Sequence, residues 1–147
     1  MTIAIEQLEL GELQAFLREQ SDDAFPDLKD EKRLAMLSEK WHSHAEFCTC
    51  RNDKDQLVGM IAFYANQPEN SIVYIPHVYV NIEYRGMRLM SSMLNIIKEY
   101  AKGNGFEYMR LEVKKTNQRA QISYEHYGFC LSGDASDITI FMQYKIS

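Results

Sequence analysis

The chain is short of the residues that staple, stiffen or break a fold: three cysteines, three prolines and seven glycines in 147 residues. An odd, sparse set of thiols (Cys48, Cys50 and Cys130) excludes a disulfide scaffold. No second Cys/His pair completes Cys48-Thr49-Cys50 into a zinc site, although His42 and His44 lie nearby. The two thiols are read instead as alternate residues on one face of a strand, and no metal is expected. Reduced thiols fit a cytosolic setting. With only Pro26, Pro68 and Pro76, and with no repeat, low-complexity tract or Ser/Gly/Pro linker, a single domain over residues 1–147 is expected. Positive charge is also in deficit: 16 Lys and Arg against 21 Asp and Glu, a net charge of -5. That speaks against a nucleic-acid partner and permits a cationic or amine ligand. Long apolar runs are missing too. Leu57 to Ala65 and Ile72 to Val80 are far too short to span a bilayer. Met1 to Glu6 carries no basic stretch before an apolar run, so no signal peptide is read there. A cytoplasmic protein with no membrane partner is expected.

What is present suits a packed core: 46% apolar and 25% charged residues. Thr2 to Glu6 alternates as a short strand. Leu8, Leu13, Phe16 and Leu17 fall near helical spacing, as do Leu28, Leu34, Leu37 and Trp41 after the polar break Ser21 to Asp27. Phe25-Pro26 stands as an unpaired apolar element in that break. Glu46 to Arg51, the turn Asn52 to Asp55, and Leu57 to Ala65 read as a hairpin. Asn66 to Asn70 is a turn, and Ile72 to Val80 a third strand. The period then changes. Leu89, Met93, Leu94, Ile97, Tyr100 and Ala101 recur at three and four, a strong amphipathic helix closed by Gly103-Asn104-Gly105. Tyr108 to Val113 is a strand, Asn117 to Tyr127 a short helix ended by Gly128, and Phe129 to Leu131 and Ile138 to Lys145 the last strands.

The resulting order is β-α-α-β-β-β-α-β-α-β-β. The strand-helix-strand crossover in the second half requires parallel pairing, and the hairpins upstream require antiparallel pairing. An α/β fold with a mixed central sheet follows.

Two stretches carry chemistry. One is Val80-Asn81-Ile82-Glu83-Tyr84-Arg85-Gly86, a strand end that turns into a helix. Such a turn aims free backbone N–H groups at one point, and the helix dipole adds partial positive charge, which together suit a diphosphate. The other is Asn117-Gln118-Arg119-Ala120-Gln121-Ile122-Ser123-Tyr124-Glu125-His126-Tyr127-Gly128-Phe129. Asn117 sits where a helix N-cap belongs. Ala120 and Tyr124 share one helical face, where a small residue beside a tyrosine leaves room for a ligand. Read alone, Arg85-Gly86 is a plain strand-to-helix turn and Tyr124 an ordinary amphipathic aromatic.

Taken together, these stretches resemble the GNAT superfamily of N-acetyltransferases. The stretch from Asn117 to Phe129 is similar to the family's N-x-x-A-x-x-x-Y-x-x-x-G-F, with all five marked residues at their spacings. The stretch ending at Arg85-Gly86 resembles the entry to its Q/R-x-x-G-x-G/A loop. Arg85 fills the initial slot, but Arg88 stands where glycine is expected and Met90 where glycine or alanine is. Glycine marks a positive φ or a close backbone approach. A loop already helical at Arg88 would tolerate a Cβ and free the guanidinium to clamp a phosphate; the opposite reading is that Arg88 and Met90 occlude the site.

The resemblance implies a GNAT-like fold that binds acetyl-CoA along the loop Arg85, Gly86, Met87, Arg88, Leu89, Met90 and Ser91. Asn117 would contact the pantetheine arm, and an amide near Val78 or Val80 would hold the thioester oxygen. Tyr124 would act as general acid toward the departing thiolate, and also lie against the coenzyme. His77, with an unperturbed pKa of about 6.5, is the base candidate, against the competing reading of a satisfied core histidine. Glu112 is a second candidate, against a solvated charge. Pro76 cannot donate to a sheet ladder and so implies a bulge or an edge. The implied activity is direct transfer from acetyl-CoA, in a ternary complex, to a primary amine on a small molecule or peptide. The competing reading is a degenerate, non-catalytic module that holds acyl-CoA or a protein partner. Eight methionines and exposed strand edges could support a homodimer.

Overall fold

Strands and helices follow the periods in the sequence. The computed structural model describes residues 1–66 and 68–146. In chain order the elements are β1 (Thr2–Glu6), α1 (Leu10–Gln20), α2 (Glu31–His44), β2 (Glu46–Arg51), β3 (Leu57–Tyr64), β4 (Ile72–Val80), α3 (Leu89–Gly103), β5 (Tyr108–Lys114), α4 (Gln118–Tyr127), β6 (Cys130–Asp134) and β7 (Thr139–Lys145). Single 3-10 turns occupy Pro26–Lys29, Pro68–Asn70 and Ile82–Tyr84. The order of strands and helices is the one the sequence implies, and the strands form one mixed seven-stranded sheet, β1-β2-β3-β4-β5-β7-β6. Among the described residues no helix is long and apolar enough to cross a membrane, and no cluster of three or more His, Cys, Asp or Glu could hold a metal.

The chain divides into two compact units. One is Met1–Phe63 with His77–Ile97, the other Tyr64–Pro76 with Lys98–Ser147, so β4 belongs half to each. In the first unit β1, β2 and β3 pair antiparallel, with Thr2 opposite Arg51 and Glu46 opposite Phe63. Alternation along β2 would expose every second side chain of a half-covered sheet, but Phe47 through Cys50 are all buried. Cys48 and Cys50 thereby lose contact with water, and burial pushes the Cys48 thiol up to about 12. Met93 and Leu94, on one turn of α3, are fully buried, and the Cys48 thiol donates to the Met93 carbonyl at 3.7 Å. At the edge, Arg51 clasps Glu6 and Glu12 at 2.9 Å each, tying β1, β2 and α1, and its guanidinium holds the Glu6 carboxyl below the usual range.

In the second unit β4 and β5 are parallel from Ile72 opposite Tyr108 to Ile75 opposite Leu111. Pro76 comes next and has no N–H with which to extend the ladder. β5 pairs antiparallel with β7, and β7 with β6. All five residues of β6 are exposed, including Cys130.

Candidate active site

In the first unit β4 ends at Val80 and α3 begins at Leu89, and the segment between must reverse from extended to helical backbone. Asn81 starts a 3-10 turn by accepting from the Glu83 amide at 3.0 Å. Two left-handed residues finish it: Gly86 at φ +84° and Arg88 at φ +60°. This corrects one expectation. The loop is not helical at Arg88, because α3 starts one residue later. Arg88 holds the conformation that glycine adopts freely, although its Cβ clashes there, at a cost of about 1–2 kcal/mol. Arg88→Gly is therefore expected to be more stable than Arg88→Ala by about 1 kcal/mol, measured as a shift in urea midpoint. Equal midpoints would mean the left-handed turn is absent.

Among the described residues, the backbone amides of Gly86 through Ser91 have no carbonyl partner; the first bond of the new helix is Ser92 N–H to Arg88 at 3.1 Å. Six such amides on the entry to a 15-residue helix favour a negatively charged group there. The Arg88 side chain is exposed and has no ion pair among the described residues. Arg85 is engaged differently. Its Nε donates to the Val80 carbonyl at 2.8 Å, its terminal nitrogens pair with Asp23, and its guanidinium lies over the Tyr79 ring, 5.6 Å from the centroid. Leu89 is buried, Met90 and Ser91 are half-buried, and Met87 is exposed. Val78 and Val80 alternate with the buried His77 and Tyr79 along β4.

His77 is 6% exposed and lies between two aromatic rings, Phe25 at 4.4 Å and Trp41 at 4.9 Å between centroids. Its Nε2 is 2.6 Å from Oε1 of Gln20. An amide oxygen only accepts, so Nε2 carries the hydrogen and Nδ1 is bare. Burial depresses the imidazole pKa to about 4, with Asp27 pulling weakly the other way. Phe25, which the sequence shows as an unpaired apolar element, is packed: it is the lid on this histidine. Gln20 itself is fully buried, and its Nε2 has no partner among the described residues.

In the second unit, Asn117 caps α4 by accepting from the Ala120 amide at 3.1 Å, as its spacing implies. At the other end Gly128, at φ +124°, donates to the carbonyls of Tyr124 and Glu125. A Cβ at Gly128 would stand 2.9 Å from the Tyr144 ring, so both the turn and the space require glycine. The turn brings Phe129 edge-on against Tyr124, 5.6 Å between centroids. The Tyr124 hydroxyl has no hydrogen-bond partner among the described residues, and burial pushes its pKa up to about 12. Glu112 is exposed on β5, and burial together with the negative charge of Glu112 raises the pKa of the Tyr74 phenol.

Sequence reading missed Gln20 and Asp23. Nothing local marks them: Gln20 closes a helix, and Asp23 stands in an acidic break that reads as solvated.

Comparison with known proteins extends these observations. A family model described as the acetyltransferase (GNAT) family matches residues 13–129. Curated proteins yield no match. Solved structures share the fold. An acetyltransferase of the GNAT family from Staphylococcus aureus superposes with a TM-score of 0.78 at 17% identity, covering 99% of this chain and 100% of the other. The PaiA N-acetyltransferase of Thermoplasma acidophilum, solved with coenzyme A, gives 0.74 at 18%, covering 99% of each. A chimera of the Vibrio cholerae spermidine N-acetyltransferase SpeG with hSSAT gives 0.78 at 15%, covering 99% and 96%.

Proposed function

Because the chain belongs to the acetyltransferase (GNAT) family, we propose that it moves an acetyl group from acetyl-CoA directly to a primary amine of a small molecule or peptide. The observation that carries this reading is the run of unpaired amides from Gly86 to Ser91, entered through two left-handed residues. The fit to a diphosphate is chemical: amide hydrogens, a helix N-terminus and the exposed Arg88 guanidinium all favour negative charge. Arg88, which has no ion pair among the described residues, is assigned the phosphate clamp; Arg85, held by Asp23 and Val80, contributes through the loop's shape. Asn117 is assigned to the pantetheine arm and an amide of Val78 or Val80 to the thioester oxygen.

When bound, acetyl-CoA supplies an activated acetyl thioester. The residues of the chain manage protons. The Tyr124 phenol, neutral throughout the working range because its pKa is raised to about 12, donates its hydrogen to the departing sulfur. His77 is assigned the ammonium proton, with its bare Nδ1 as acceptor; at a pKa of about 4 it is neutral in water but only weakly basic. Glu112 is the second candidate. No cysteine serves as an acyl carrier: Cys48 and Cys50 are buried, and among the described residues Cys130 has no base as a hydrogen-bond partner. The amine acceptor places this reading beside the neighbour described as a spermidine N-acetyltransferase. A cytoplasmic location and a homodimer remain part of the proposal.

Calorimetry with acetyl-CoA, followed by thiol release across a panel of primary amines, tests it. Binding with turnover on at least one amine is expected. Binding without turnover on any amine would support the non-catalytic acyl-CoA-holding module, and no binding would end both readings.

A further inference from the structure

Asp23 lies in the turn between α1 and the 3-10 segment Pro26–Lys29, yet its partners come from more than fifty residues away. Its carboxylate accepts from the Tyr79 hydroxyl at 2.8 Å and pairs with the Arg85 guanidinium, while that guanidinium also grips Val80 and covers the Tyr79 ring. Arg85 opens the loop of unpaired amides. On the other side, the amides of Asp23, Ala24 and Phe25 all donate to one carbonyl, that of Gln20, at 3.1 Å. Phe25 then lies on His77 and near Tyr79, at 4.4 and 6.2 Å between centroids. One carboxylate therefore joins the start of the amide loop to a turn whose own backbone bonds converge on a single acceptor. The Asp23 side chain is 26% exposed and that of Arg85 42%, so the pair is open enough to break and re-form.

We propose that Asp23 is a positioning residue that couples the amide loop to the Ser21–Phe25 turn, so that coenzyme A held at the loop stiffens the turn through Arg85 and Tyr79. The inference rests on the loop being a diphosphate site. Coupling of this kind is reciprocal: whatever fixes the turn tightens the loop's hold on coenzyme A by the same factor.

Amide hydrogen exchange on the whole chain, with and without saturating coenzyme A, tests it. In the wild type, exchange is expected to slow at Leu89 to Ser91, and by about tenfold at Asp23 to Phe25. In Asp23→Asn the slowing at the loop persists and that at the turn disappears. Tyr79→Phe, which removes one of the two bonds and keeps the ring, is expected to lose part of it. Slowing at the wild-type loop with none at the turn would overturn the coupling and leave the diphosphate site standing. Equal slowing at the turn in all three proteins would overturn the role of Asp23. No slowing at the loop would remove the site and the coupling together.

Discussion

Between pH 7 and pH 4 the protein is expected to lose about 3 kcal/mol of folding stability through His77 alone. In the unfolded chain an imidazole takes a proton below about 6.5; in the folded chain His77 refuses it until about 4. Over that window the unfolded state binds more protons, so stability rises with pH. The contribution is complete above pH 6.5 and falls away progressively as the pH drops toward 4. The cause is burial: an imidazolium between the rings of Phe25 and Trp41 would have no water, and the nearest acceptor, Gln20 Oε1, already takes its one hydrogen. Carboxylates also titrate in this range, so the comparison must be differential. Urea denaturation of the wild type and of His77→Phe, each at pH 7 and pH 4.5, gives two pH slopes. The wild type should be steeper. Coincident slopes would mean that water reaches the ring.

Removing the Tyr124 hydroxyl should act on rate, not on affinity. Tyr124→Phe is expected to lower kcat about a hundredfold, the lower end of what a positioned general acid contributes, while the dissociation constant of acetyl-CoA stays within about twofold. Packing should survive the change, since the ring still meets Phe129 and the hydroxyl makes no hydrogen bond among the described residues that would be orphaned. A variant with full activity would acquit Tyr124. A variant with weakened acetyl-CoA binding and unchanged kcat would assign the hydroxyl to holding the coenzyme.

The element order was legible because each segment's apolar period matched its structure: two along β4, three and four along α3. The cap at Asn117 was legible from its spacing to Ala120. His77 was legible in part, since Val73, Ile75, His77 and Tyr79 share a parity on β4 and all four are buried. What parity cannot supply is the lid, because Phe25 and Trp41 come from other elements. Arg88 misled for a physical reason. Residue type argues for helix or extended backbone there, whereas the chain reversal between β4 and α3 demanded a left-handed residue, and geometry overrode preference. The pairing of Asp23 with Arg85, 62 positions apart, leaves no local pattern at all.

The contrast among the three thiols bears on how such experiments are run. A colorimetric sulfhydryl reagent added to the native chain meets one group, at Cys130 on the bare outer strand; Cys48 and Cys50 are hidden. An assay counting liberated coenzyme thus carries a fixed background of one equivalent per chain. Once that equivalent is consumed, the two concealed sulfurs become a clock: their modification proceeds only as fast as β2 is laid open.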